Sequence, residues 1–335
     1  MKLLKIFSTI VFWSFLTGCE IQPENSGILV LYSGRSDTLV APVIELFTEE
    51  TGLQVEVRYG GTAELAATIL EEGQSSPADV FWAQDPGGLG AIAEAGMFAT
   101  LAPALLDRVP AGYRAADGSW VGISGRARVI VYNTDELTPA DLPLDIYEFI
   151  DPVWDGRIGW APTNGSFQVM VTGMRQIWGE EKTRLWLEGI LANHPVMYEN
   201  NTAIVAAVAA GEVSVGFANH YYLYRFLEEQ GADFTARNHF LPGSGPGSLI
   251  MVSGAGVLKT APNPANAQRF LAFLLSQVAQ EYFAGETFEY PLIVGVDLHP
   301  DLTPLTDLSG PPVDAADLAD LAGTVSLLQS VGVLP

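Results

Sequence analysis

The chain has 335 residues, 48% hydrophobic and 10% aromatic, a composition that excludes a disordered protein and suggests about two domains. Its 39 acids against 16 lysines and arginines leave a formal charge of −23 with no basic run. A polyphosphate backbone would be repelled, so nucleic-acid binding is excluded.

The chain opens with Lys2 and Lys5, continues through a largely apolar stretch from Ile6 to Leu16, and reaches Leu16-Thr17-Gly18-Cys19. A basic start, a short apolar region and small residues before a cleavage point predict an export signal. The stretch is shorter than the ~20 apolar residues a bilayer span needs. Cys19 is the sole cysteine, which excludes an intramolecular disulfide and a cysteine-based metal site. Its place at the cleavage point resembles the bacterial lipoprotein signal, whose cysteine is acylated. An ordinary signal peptide with an incidental cysteine is the alternative. The expectation is a signal peptide over 1–18, a polar tether over 19–27, and an exported, lipid-anchored protein in the periplasm or on the outer face of the cytoplasmic membrane.

Short apolar strands then alternate with helical patterns. Ile28 to Tyr32 reads as a strand, Leu39 to Thr51 as a helix stopped by Gly52, Leu53 to Tyr59 as a strand and Ala63 to Glu72 as a helix. Val80-Phe81-Trp82 makes a third strand. Further strands are expected at Arg128 to Tyr132, Ile158 to Trp160, Val213 to Phe217 and Ile250 to Val252. Helices are expected from Phe167 to Trp178, from Asn200-Asn201-Thr202 to Gly211, after Asn219-His220, from Ala265 to Phe283, and near Ala315 to Gln329. This rhythm predicts an α/β protein with parallel strands in two halves, without a flexible linker between them.

Four strand-to-helix junctions carry small hydroxyl or amide residues: Ser33 to Asp37, Thr163 to Ser166, Asn200 to Thr202, and Asn219. Each suits a helix N-cap, and free N–H groups there attract anions. In open α/β sheets, ligands bind off the carboxyl ends of the strands, where such junctions lie. With Asn219 as cap, Tyr221 and Tyr222 fall in the first helical turn, about 100° apart around the axis, so both phenols can flank one point. A phenolate oxygen is a hard donor suited to Fe(III). Packing of these tyrosines into a core is the competing reading.

Several motifs together resemble the ferric-ion-binding solute receptors of bacterial ABC importers, a bacterial transferrin-like family. They are Val30-Leu31-Tyr32-Ser33-Gly34-Arg35, Pro77 to Trp82, Ser124 to Val129 with Val131-Tyr132-Asn133, Pro162 to Phe167, and Asn219-His220-Tyr221-Tyr222. The resemblance runs from about Ile28 to the Pro291 region. It implies a type II periplasmic-binding-protein fold whose two lobes are joined by crossing strands and close on ligand by a hinge. Lobe one is expected over 28–122 plus 250–300, and lobe two over 123–249 plus 301–335. The resemblance also implies a membrane permease and an ATPase as partners, and a monomer is expected.

Carried over residue by residue, Tyr221 and Tyr222 match the family's iron-binding pair. Asn164, Gly165, Ser166, Asn201 and Asn219 match positions that cradle a synergistic anion, phosphate or carbonate. Two departures stand out: Ser36 occupies the place of a family histidine, and Gln84, followed by Asp85, that of a family glutamate. A further tyrosine that one subgroup places near Gly165 is also absent. On this resemblance the remaining iron ligands would have to come from anion oxygens, water, or weak donors among Ser36, Asp37, Gln84 and Asp85. Asp37 and Asp85 read equally as solvated loop acids. Arg35, Arg126 and Arg128 can fork an anion or form an interlobe salt bridge.

The alternative cargo for the same receptor is a small anion or organic solute without iron, such as a phosphonate, sulfate, thiamine or a polyamine. An exported enzyme is the third class. No Gly-x-Ser-x-Gly, His-Glu-x-x-His or Walker-type motif occurs, so no enzyme activity is expected.

Overall fold

The computed structural model describes residues 27–335 except 244, 309 and 312. The expected signal peptide, the expected lipidation at Cys19 and all but Gly27 of the expected tether lie outside the described residues. Among the described residues, no helix is long and apolar enough to cross a membrane.

β1 (Leu29–Ser33), α1 (Asp37–Thr51), β2 (Val55–Tyr59), α2 (Thr62–Glu72), β3 (Val80–Ala83) and α3 (Pro86–Glu94) alternate as the hydrophobic pattern predicts. Gly52 ends α1 at φ 73°, a left-handed conformation that costs a residue without Cβ little. A short α4 (Pro103–Leu106) leads into β4 (Val121–Asn133). The second half contains β5 (Ile158–Trp160), α5 (Gly165–Trp178), α6 (Glu180–Ala192), β6 (Val196–Met197), α7 (Asn201–Ala209), β7 (Val215–Asn219), α8 (Tyr221–Gln230) and β8 (Ala236–His239). The chain returns through β9 (Ile250–Val257), α9 (Pro264–Leu274), α10 (Gln277–Gly285) and β10 (Tyr290–Pro291), and closes with α11 (Leu321–Ser330).

The main strand order is β2-β1-β3-β9-β4-β7-β5-β6, with β8 and β10 pairing on β4. Pairing within each half is parallel: β1 with β2 and β3, and β5 with β6 and β7. The strands that join the halves are antiparallel. β4 pairs with β9 from Val121 to Ala127 and with β7 from Arg128 to Tyr132, so its neighbour changes between two consecutive residues. This is a two-lobe α/β fold on crossing strands, and the switch falls where ligands of open sheets collect.

The cores are separate. One apolar cluster packs β1, β3, α1, α9 and α10 around Phe47, Phe81, Trp82 and Phe270. Two others flank the second-half strands, around Trp160, Trp186 and Phe217 on one face and Ile204, Val208 and Leu223 on the other. Tyr221 and Tyr224 of α8 belong to the first cluster, although Leu223 between them belongs to a second-half one.

Three elements differ from the sequence reading. The helix expected over Ala265 to Phe283 is two helices, because Ser276 caps α10 by accepting the Ala279 N–H at 3.3 Å. The last helical pattern splits into a 3₁₀ turn at Ala315–Leu318 and α11, which Asp320 caps through the Gly323 N–H at 2.9 Å. The strand read as Arg128 to Tyr132 is the last part of β4, which has 13 residues. Ser124, Arg126 and Arg128 interrupt its apolar pattern, yet the whole strand is buried.

Phe47 is fully buried, with ring centroids 5.0 Å from Phe270 and 5.4 Å from Phe273. Phe47→Ala is expected to destabilise the protein by about 3–5 kcal/mol, read as a lower midpoint in urea denaturation.

Candidate functional site

The junction of the lobes is built on the switch in β4. Residues two apart on a strand share a face, so Arg126 and Arg128 project to one side while Ala127 between them serves the backbone. The Ala127 carbonyl accepts the His220 N–H, and the Ala127 N–H donates to His220 Nδ1, at 3.0 and 3.1 Å. The other ring nitrogen, Nε2, is 2.8 Å from the Phe288 carbonyl oxygen. This assigns a neutral imidazole protonated on Nε2. His220 thereby ties the start of α8 to the crossing strand and to the segment before β10.

Tyr221 and Tyr222 open α8. Their rings stack with centroids 4.2 Å apart and planes inclined by 28°, so the adjacent phenols lie side by side. Tyr222 is half-buried. Tyr221 is fully buried, and its hydroxyl makes no hydrogen bond among the described residues. Burial holds its phenol well above the ordinary tyrosine range, and proximity to Tyr222 adds to that. The Arg35 and Arg126 charges work in the opposite direction.

Arg35, in the loop after β1, is buried and forks onto Glu289: Nη1 and Nη2 each donate at 2.8 Å to one carboxylate oxygen. Arg126 Nε lies 4.0 Å from the same carboxylate, and its Nη2 donates to the Gln84 carbonyl. Burial opposes ionisation of Glu289, but Arg35 outweighs it and holds the carboxyl below the usual range. Arg128 has no salt bridge among the described residues. Its Nη1 donates to Asn219 Oδ1 at 3.0 Å and reaches Asn201 Oδ1 at 3.5 Å. Burial lowers its pKa to about 9, with Tyr222 the largest opposing influence.

The amide and hydroxyl residues form one network. Asn164 caps α5 by accepting the Ser166 N–H at 3.1 Å and also accepts Ser166 Oγ–H at 2.5 Å. Asn201 Nδ2 donates to Asn164 Oδ1 and Ser166 Oγ, each at 3.2 Å, and Asn201 Oδ1 accepts the Asn219 N–H at 3.0 Å. Seven buried polar atoms at this junction make no hydrogen bond among the described residues: Tyr221 Oη, Asn219 Nδ2, Arg128 Nε and Nη2, Arg126 Nε and Nη1, and Arg35 Nε. A buried donor left unpaired costs about 1–3 kcal/mol, so such a concentration marks a place shaped for a polar ligand. No group of three or more His, Cys, Asp and Glu able to hold a metal occurs among the described residues.

Two expectations are corrected. Asn219 does not cap α8: it ends β7, its carbonyl-type oxygen engages Arg128, and His220 occupies the cap position. Asp85 is not a solvated loop acid. It is buried and caps α3, accepting the Gly87 N–H at 3.2 Å. Burial raises its pKa, with Arg126 opposing. Asp37 fits the solvated reading, since it is exposed and accepts the Thr38 N–H; Ser36 is exposed as well and pairs with the Thr38 hydroxyl. Gln84, Asp85, Asn164 and Gly165 line a cavity of about 270 Å³ between the lobes. Gly165 permits that approach, since a Cβ there would lie 2.9 Å from Asp85 Oδ2.

Glu289 and the anchoring role of His220 escaped the sequence reading. For Glu289 a signal was available: it is a lone acid in Phe288-Glu289-Tyr290-Pro291-Leu292-Ile293-Val294, an otherwise apolar run. Charges in such runs are tolerated when paired.

Two α/β lobes on crossing strands, with a buried polar cluster at their junction, define a two-lobe solute-binding receptor. The chain belongs to the bacterial extracellular solute-binding protein family, whose sequence profile matches residues 75–311. A relative named Fe(3+)-binding periplasmic protein, from Serratia marcescens, is 33% identical over 95% of this chain and 94% of its own. Iron-bound HitA from Pseudomonas aeruginosa superposes with a TM-score of 0.87 at 37% identity, covering 91% of this chain and 99% of that one. A Trichodesmium protein (IdiA, FutA) in complex with iron and citrate gives 0.81 at 32% identity, covering 91% and 99%.

His220 yields a stability prediction. Burial lowers its pKa to about 4, against an ordinary 6.5. The unfolded chain therefore takes up this proton first as pH falls, and folding stability is lost between about pH 6.5 and 4. The loss attributable to His220 is expected to approach about 3 kcal/mol, checked by urea titrations across that interval. His220→Gln is expected to flatten the dependence.

Proposed function

We propose that this protein is a receptor that captures Fe(III) together with a synergistic anion between its lobes and delivers it to an ABC importer. The observation that carries the reading is the buried charge inventory. Arg35, Arg126 and Arg128 are enclosed with two carboxylates, Glu289 forked by Arg35 and Asp85 on the lobe-one side of Arg126, beside two stacked phenols, which leaves one cation in excess. Unbalanced buried cations are costly, and phenolates at Tyr221 and Tyr222 would offset the surplus. Two phenolates present hard oxygen donors, and a trivalent ion completes the displacement of their protons.

In this reading Tyr221 and Tyr222 supply the protein's iron ligands. The anion, phosphate or carbonate, sits against Asn164, Gly165, Ser166, Asn201 and Asn219. The free N–H groups of Arg128 and Asn219 and the N-termini of α5 and α7 support it there. Arg35 and Arg126 act electrostatically. Gln84 and Asp85 face the cleft from lobe one, whereas Ser36 and Asp37 contribute at most from its rim. The names of the relatives favour iron over an organic solute, and the family is one of receptors rather than enzymes.

The lobes are taken as 28–122 with 250–300 and 123–249 with 301–335, joined through β4 and β9. Export, acylation at Cys19, monomeric state, and docking on a permease with its ATPase complete the proposal.

Titrating the iron-free protein with ferric citrate is expected to produce a visible phenolate-to-iron charge-transfer band. Tyr222→Phe should abolish it or weaken it severalfold, and an unchanged band would sink the assignment. Because Tyr221 binds its proton more tightly than a free phenol, acid favours release. Displacing two protons makes affinity fall by up to ~100-fold per pH unit, measurable by competition with citrate at stepped pH.

A further inference from the structure

We propose that Glu289 is a positioning residue for iron capture, holding the Arg35 and Arg126 guanidiniums beside the phenol pair. The inference rests on the ferric reading above and adds a residue that touches neither phenol through any hydrogen bond among the described residues. Three distant parts of the chain converge on this carboxylate. Arg35 comes from the loop after β1, Arg126 from the crossing strand, and Glu289 from a segment 254 residues beyond Arg35. Both carboxylate oxygens are engaged by the Arg35 fork at 2.8 Å, Thr287 Oγ1 donates to one of them at 3.2 Å, and Arg126 Nε lies 4.0 Å away.

The fork orients Arg35 rather than consuming it. Arg35 Nε, Arg126 Nε and Arg126 Nη1 make no hydrogen bond among the described residues. Arg126 adjoins Ala127, whose N–H and carbonyl both bond to His220, the residue before Tyr221, and Arg35 shares the Glu289 carboxylate with Arg126. A bidentate pair fixes a guanidinium in plane and direction, which a single contact does not.

The segment that carries Glu289 is itself tied to the residue preceding the phenols. Phe288 adopts φ 55°, outside the usual range for a residue with Cβ, and its carbonyl lies 2.8 Å from His220 Nε2. The Glu289 N–H donates to the Phe283 carbonyl at 2.9 Å. Tyr290 pairs with Gly125 of β4 and stacks on His220 with centroids 4.7 Å apart. The acid that orients the arginines and the start of α8 therefore form one bonded unit.

The test loads the whole protein with ferric citrate and compares wild type with Glu289→Gln, Glu289→Asp and Arg35→Lys. Glutamine presents an N–H₂ group where the fork requires an acceptor, and lysine keeps the charge without the fork. In Glu289→Gln and Arg35→Lys the charge-transfer maximum is expected to move, and iron to pass to competing citrate at least ten-fold more readily. Glu289→Asp, which keeps the carboxylate, should recover part of the affinity. Melting of the iron-free variants is followed in parallel, because a purely structural acid would lower that temperature without moving the band. Wild-type affinity and band position in Glu289→Gln overturn the assignment. Should that variant fail to fold, the same result in Arg35→Lys overturns it. A wild-type protein that develops no band removes the ferric reading and this inference together, which separates the two failures.

Discussion

Buried positive charge beside buried phenols is the constraint on which the rest of the molecule depends. A free phenol keeps its proton to about pH 10, and enclosure in protein raises that further. Here the enclosure that resists ionisation of Tyr221 also contains three arginines and two carboxylates, Glu289 and Asp85, that neutralise part of their charge. Arg128 is held by amide oxygens alone among the described residues, and burial weakens its hold on its own proton. Such a cluster is balanced only when negative charge joins it. Phenolates, an incoming anion, or both meet that demand, which is the physical basis of the ferric reading proposed above.

The placement of these charges follows from the path of the backbone. β4 serves both lobes, exchanging β9 for β7 as its neighbour between Ala127 and Arg128. Arg126 and Arg128 stand on either side of that exchange, one bonded toward Gln84 of the first lobe and the other toward Asn201 and Asn219 of the second. Ala127 receives His220, the residue before the phenol pair. The two arginines and the entry to α8 are thus bonded to the one strand that pairs with both halves.

Much of this was legible along the chain. The alternation of short apolar strands with amphipathic helices predicts an α/β fold, because a pleat and a helical turn impose different periods on the residues that must be buried. Asn164 and Asn200 were readable as caps, since the first N–H groups of a helix need nearby acceptors, and both accept such bonds here. The same reasoning failed at Asn219. A cap signature is local, whereas the partner that claims the Asn219 side chain is Arg128, 91 residues earlier in sequence. Asp85 failed in the other direction: a lone acid beside Pro86 and two glycines resembles a solvated turn, but α3 packs so that the acid is enclosed.

By itself the sequence determined the periodicities, the helix starts, the adjacency of Tyr221 and Tyr222, and a family signature spread over most of the chain. These properties depend on neighbours a few residues apart, or on motifs whose order survives without coordinates. Tertiary structure alone decided which charges are shared. It carried Glu289 to Arg35 and Arg126, turned Arg128 toward two asparagines, and set His220 between a crossing strand and the Phe288 carbonyl. The reason is physical: the cost of a buried charge is settled by whatever the folded chain brings within a few ångströms, and sequence separation has no bearing on that distance.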